Sequence, residues 1–170
     1  MQSIGMQFGA HVNAYTSFDE TVYMLQVPTD KAEVLDKGFL ILEDWAHNVS
    51  FEPSEIDKER GVVVEEWRRG RGAGTRIQDK QFPVFLKGSR YAERLPIGKP
   101  EILQTAKPER LTKFYSDWYR PDLMAVVAIG DFDKAAIQKL IVAHMTVSAA
   151  APVVMGAKAA PNTSNAFRPM

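Results

Sequence analysis

Along the first third of the chain the apolar positions change period twice. Residues 5–17 alternate loosely (Met6, Phe8, Ala10, Val12, Ala14), as a strand with one covered face does. A polar turn, Ser17-Phe18-Asp19-Glu20, leads into a second alternating run over 21–27 that stops at Pro28. Two such runs about a short turn predict an antiparallel hairpin. The period then lengthens: Val34, Leu35, Phe39, Leu42, Trp45 and Ala46 share one helical stripe. Thr29 or Asp30 is the expected cap, with Glu33 placed for a capping box and an end near Asn48. Gly38 should weaken the middle of that helix slightly.

Glu52-Pro53-Ser54-Glu55 reads as a second helix entry, with proline in the first turn. The Gly61-Val62-Val63-Val64 block that follows would serve equally as a buried strand, because β-branched residues favour strands. Dense charge over 54–71 favours the helix. A further helical piece over 75–86 must accommodate Pro83. Residues 87–100 read as a loop, broken by Gly88, Pro96, Gly98 and Pro100 and anchored by Tyr91 and Leu95. Another helix opens at Lys107-Pro108-Glu109, with Leu111, Phe114, Tyr115 and Trp118 as its apolar face, and ends by Arg120-Pro121. The unbroken apolar run over 123–129 predicts a strand buried on both faces. Asp131 or Asp133 should cap a last helix with Ile137, Leu140, Ile141 and His144 along one side. From residue 147 onward, alanine, proline and small polar residues show no sustained period. The expected organisation is therefore one domain over 1–146, then a linker, tail or externally packed segment over 147–170.

Candidate chemistry centres on the second helix. Glu59 and Glu66 are seven residues apart, close to two helical turns, so both project from one face. Glu65 points about 100° away. Paired carboxylates beside an apolar block call for something positive, either a metal ion or an arginine. With 21 basic and 21 acidic residues the net charge is zero, so no overall field favours nucleic acid or an anionic membrane. No apolar run approaches the length of a membrane span. The absence of cysteine excludes disulfides, thiolate metal sites and cysteine nucleophiles. His11, His47 and His144 lie far apart in sequence, and His47 is best placed as a partner for a helix C-terminus. The basic, glycine-rich stretch 68–74 could be a phosphate or RNA loop. It lacks the ending of a P-loop and has no interleaved aromatics, so a solvated helix exit is the better reading.

Four stretches taken in order resemble the insulinase/pitrilysin-type zinc peptidases, the inverted zincins. They are Gly5-Met6-Gln7-Phe8-Gly9-Ala10-His11-Val12-Asn13-Ala14-Tyr15-Thr16-Ser17, Asp57-Lys58-Glu59-Arg60-Gly61-Val62-Val63-Val64-Glu65-Glu66, Tyr91-Ala92-Glu93-Arg94-Leu95-Pro96-Ile97-Gly98, and the segment 114–132 around Tyr119-Arg120-Pro121-Asp122. The resemblance implies an α+β domain: a mixed, mostly antiparallel sheet with helices packed on one face, incomplete in this chain. It implies zinc as cofactor of the complete protein, Glu66 as the distal zinc ligand and Glu59 as the residue that orients a ligating histidine. It further implies that Asn13, Ala14, Tyr15 and Thr16 form the edge strand that receives a peptide substrate. The family's H-x-x-E-H, which carries two zinc-binding histidines and a general base, is absent from these 170 residues and would fall upstream of Ser3. The expectation is a piece of a longer endopeptidase, without zinc or activity of its own. The alternative is a non-catalytic subunit or inactive relative that binds peptides or partners. An uncovered sheet face would also favour a homodimer or a domain-swapped oligomer.

Overall fold

A computed structural model describes residues 11–145 and the backbone of 153–155. In chain order the elements are β1 (Val12–Thr16), β2 (Thr21–Leu25), α1 (Ala32–His47), α2 (Pro53–Arg69), α3 (Ala73–Phe85), α4 (Pro100–Thr105), α5 (Pro108–Trp118), β3 (Val126–Ala128), α6 (Lys134–Met145) and β4 (Val153–Met155), with short 3-10 turns at Arg90–Glu93 and Pro121–Leu123. This is the expected α+β class. Among the described residues the sheet consists of two two-stranded pieces, β1–β2 and β3–β4. Residues 5–10 of the expected first strand lie outside the described residues.

The chain divides into two units. The first takes in 25–49 and the chain from 117 onward. Its core is the seam between α1 and α6, where Phe39, Ile137 and Ile141 are buried and Leu35, Leu42, Val126, Ala128, Phe132, Leu140 and Met145 pack around them. The helical stripes predicted for these two helices supply that seam. Asp133 caps α6, its Oδ1 accepting the Ala136 N–H at 2.7 Å. At the start of α1 neither Thr29 nor Asp30 caps. They lie in a bend after Pro28, and Lys31 takes the cap position with no side-chain bond. Gly38 has a packing role, since a Cβ there would meet Val27 Cγ1 at 3.0 Å, so the glycine lets the chain leaving β2 cross α1 closely. The predicted doubly buried strand is shorter and one-sided. Val126 and Ala128 turn to the core, while Val127 stays 59% exposed. β3 pairs in parallel with β4, Val126 opposite Val153. Residues 153–155 fall within the stretch expected to be a linker or tail, whose remainder lies outside the described residues.

The second unit takes in 12–24 and 50–116. None of α2, α3, α4 and α5 contains a buried residue. Polar ties and ring contacts hold them instead. The Arg60 guanidinium donates from Nη1 to the Leu103 carbonyl at 2.6 Å and from Nη2 to the Ala106 carbonyl. It thereby satisfies the free carbonyls at the end of α4, where the helix dipole also favours a cation. Phe51 meets Tyr115 edge-on, with ring centroids 5.0 Å apart. α4 begins at Pro100, the last residue of the expected loop, and runs through a stretch with no predicted element; proline at its first position starts it.

Candidate functional site

The choice between helix and strand for the central valine block resolves to helix. Pro53 occupies the first turn of α2, Glu55 lies at its positive end, and Arg68 and Arg69 lie at its negative end. Three ion pairs at i,i+3 spacing run along it: Lys58 with Glu55 at 2.5 Å, Arg60 with Asp57 at 3.0 Å and Arg68 with Glu65 at 2.8 Å. These local ties favour helix despite Val62, Val63 and Val64.

Those pairs divide the acidic residues of α2 into two sets. Glu55, Asp57 and Glu65 each have a basic partner, whereas the exposed Glu59 and Glu66 carboxylates make no hydrogen bond or ion pair among the described residues. Arg60, next to Glu59 in the sequence, is committed to Asp57 and to the end of α4. Both carboxylates therefore keep their lone pairs, roughly 10 Å apart along one helix face. That suits one donor of a metal set together with an acceptor for a ligand's N–H. It is not a complete cation site, because no three His, Cys, Asp or Glu side chains gather to hold a metal among the described residues.

The hairpin positions Asn13, Ala14, Tyr15 and Thr16, all exposed on β1. Its ladder is closed by Ser17 N–H to Glu20 O and by Gln26 N–H to His11 O, each 2.8 Å. In that register odd-numbered residues of β1 face β2, and the Ala14 N–H faces away. The Asn13 Oδ1 covers that outward N–H at 2.8 Å. Thr16 and Thr21 hydroxyls meet across the strands at 3.5 Å, and Tyr15 donates to Glu20 at 3.3 Å. At the tip, Phe18 packs on Tyr91 with centroids 4.9 Å apart, and the Tyr91 hydroxyl donates to Asp19 Oδ2 at 2.5 Å. Thus α2 brings Glu59 and Glu66 together, and β1 aligns 13–16. No hydrogen bond or ion pair joins the two sets among the described residues.

The basic stretch after α2 is a short connection to α3. Arg71 pairs with Asp79 at 2.7 Å and lies 4.8 Å over the Trp67 ring, while Arg76 bonds to the Arg71 carbonyl. Sequence reasoning missed a charged cluster in the first unit. His144 Nδ1 lies 2.6 Å from Glu43 Oε2 and its Nε2 lies 3.3 Å from Asp36 Oδ1, with the ring stacked near Phe39. His47 reaches the other Glu43 oxygen at 3.6 Å. Burial lowers the His144 pKa, but the hydrogen bonds and charges of Glu43 and Asp36 outweigh it, leaving a net rise. The sequence signal was only a histidine on an apolar stripe, with its partners 101 and 108 residues away.

Comparison with known proteins supports the family resemblance. Residues 2–71 match the family described as Insulinase (Peptidase family M16), and residues 105–165 match the Peptidase M16 inactive domain. The chain belongs to the insulinase (M16) peptidase family. It is 40% identical over 141 residues to a probable zinc protease PqqL of Haemophilus influenzae, covering 83% of this chain and 15% of that protein. It is 41% identical over 145 residues to a PQQL-like zinc protease of Arabidopsis thaliana, covering 85% and 15%. The crystal structure of the periplasmic protease PqqL from Escherichia coli superposes with a TM-score of 0.82 at 38% identity, covering 86% of this chain and 16% of that one. The chain thus spans about 15% of the length of the curated relatives it matches.

Proposed function

We propose that this chain forms one wall of the catalytic cleft of a zinc-dependent endopeptidase, with Glu66 as a zinc ligand and Glu59 as the acceptor that orients a ligating histidine. The carrying observation is the division of carboxylates on α2: five acidic side chains over 55–66 lie near basic ones, and Glu59 and Glu66 alone among them stay unpaired in the described residues. On a helix otherwise laced with ion pairs, these two carboxylates keep lone pairs open to a cation. Zinc supplies Lewis-acid polarisation of the scissile carbonyl. The chain's own residues hold the metal from one side and align the substrate. Asn13, Ala14, Tyr15 and Thr16 receive an extended peptide along the open edge of β1, main chain to main chain, with the Asn13 side chain giving up the Ala14 N–H to the incoming strand.

One carboxylate is a poor zinc site, since water and harder cations compete for it. The polypeptide of 170 residues by itself is therefore expected to retain far less than one zinc per chain after desalting and to cleave no peptide. Calorimetric titration of zinc into the chain should show a weak site that Glu66→Gln removes and Glu65→Gln, which alters a paired carboxylate, leaves intact. Equal loss in both variants, or one tightly held zinc with chelator-sensitive cleavage, overturns the reading. A second reading, a non-catalytic relative that binds peptides or partners, draws on the match of 105–165 to the domain described as inactive. It predicts no difference between the two variants.

A further inference from the structure

The edge of β1, unpaired among the described residues, is useful to a peptide only if the hairpin holds still. Its strands are exposed, with Tyr15, Tyr23 and Met24 each more than two-fifths accessible, so little apolar burial fixes it. An isolated two-stranded hairpin is marginal in water. Among the described residues, the tip is tied down by a residue 72 positions from Asp19. Tyr91, on the 3-10 turn Arg90–Glu93, packs its ring on Phe18 and donates its hydroxyl to Asp19, the two central residues of the β1–β2 turn. A ring contact and a charge-assisted hydrogen bond at adjacent residues restrict the turn in two directions, where either one alone would leave it a pivot.

We infer that Tyr91 is a positioning residue for the substrate strand, clamping the hairpin tip so that residues 13–16 present a fixed edge to an incoming peptide. The inference rests on the reading of β1 given above. It adds a device that neither the helix carboxylates nor the strand itself contains. The contacts of Tyr91 are to Phe18 and Asp19, so its effect reaches both strands through the turn. Because its side chain is more than one-third exposed, removing it should not threaten the fold.

The test uses the full chain and the variants Tyr91→Phe, Tyr91→Ala and Asp19→Asn. Amide hydrogen exchange is followed residue by residue, and binding of a short fluorescent Val-Lys repeat peptide is followed by anisotropy. Tyr91→Phe and Asp19→Asn, which keep the ring contact, should speed exchange in β1 and β2 by roughly threefold. Tyr91→Ala, which loses both contacts, should speed it roughly tenfold or more, with α2 and α3 unchanged. Peptide affinity should fall in the same order, a graded response that a purely structural tyrosine would not give. Unchanged exchange in Tyr91→Ala overturns the clamp whatever the peptide does. Faster exchange with unaltered affinity leaves a structural tie and overturns positioning. No binding to the unmodified chain, with exchange responding as expected, overturns the reading of β1 and the positioning inference with it.

Discussion

The two units of this chain are held by different forces. In the first, α1 and α6 bury Phe39, Ile137 and Ile141 against one another, and a histidine with two carboxylates closes the seam. In the second, helices of similar length bury no residue. An arginine tied to carbonyls and a ring contact join its elements, and Val62, Ile77, Val84 and Phe85 stay more than half exposed. Amphipathic stripes are present in both units, so a stripe alone does not say whether a face finds a partner within a given stretch of chain. Candidate chemistry sits in the second unit, where polar groups are not already used to bury surface. This follows from what a site needs, since unpaired carboxylates and an open strand edge cost little only where water reaches them.

The sharpest way to break the contrast is to truncate matched apolar side chains. Ile141→Ala should cost about 2–5 kcal/mol in urea denaturation, because it removes buried methyl groups and leaves a cavity. Phe85→Ala removes a larger side chain that is 73% exposed and should stay within about 0.5 kcal/mol. Similar losses in the two variants would mean that Phe85 is covered in solution and that the second unit has a core after all.

The histidine cluster gives the next effect. His144 has a folded-state pKa raised above its unfolded value of about 6.5, because the Glu43 and Asp36 contacts outweigh its burial. The stabilisation is therefore fully present below pH ~6.5 and is lost as pH rises through the folded-state value. Groups facing it are Glu43 and Asp36 from α1, with His47 on the far side of Glu43. His144→Gln should lower stability by about 1–2 kcal/mol at pH 6 and by clearly less at pH 9. Glu43→Gln should flatten the same pH dependence. A His144→Gln penalty that grows with pH would show the neutral imidazole to be the stabilising form.

What could be read from the sequence was local. Pro53 at a helix start, the charged flanks of Val62–Val64 and the stripe ending at His144 each depend on neighbours within a few residues, and the α2 face bearing Glu59 and Glu66 follows from that periodicity. The roles of those two carboxylates came from family resemblance, because spacing alone left metal and arginine equally open. The features missed depend on distant partners. α4 is six residues long, too short for periodicity to reveal, and it is secured by Arg60 from more than 40 positions away. Gly38 looked like a flaw because Val27, which crosses it, lies outside the helix, in the chain leaving β2. The second face of the strand over 123–129 was expected to be buried because its residues are apolar, whereas among the described residues only the side toward α1 and α6 is covered.

Glycine substitution makes the finest comparison, because identical chemistry should then give opposite outcomes in the two units. Both Gly38 and Gly61 lie inside helices, and alanine in place of glycine gains about 1 kcal/mol of helix propensity. At Gly61 nothing stands within 4 Å of an added Cβ, so Gly61→Ala should raise stability by about 0.5–1 kcal/mol. At Gly38 the same methyl would meet Val27 Cγ1 at 3.0 Å and Cγ2 at 3.5 Å, both on a stiff β-branched side chain. Overpacking of that kind costs about 1–3 kcal/mol, enough to cancel or reverse the propensity gain. Gly38→Ala should therefore be neutral to destabilising, and adding Val27→Ala should recover part of the loss. Such recovery identifies Val27 as the obstacle, because two independent substitutions at packed positions would only add their penalties. Equal stabilisation at both glycines would instead show that the chain beside α1 yields, placing the rigid part of the first unit nearer to Phe39, Ile137 and Ile141 than to the crossing at Val27.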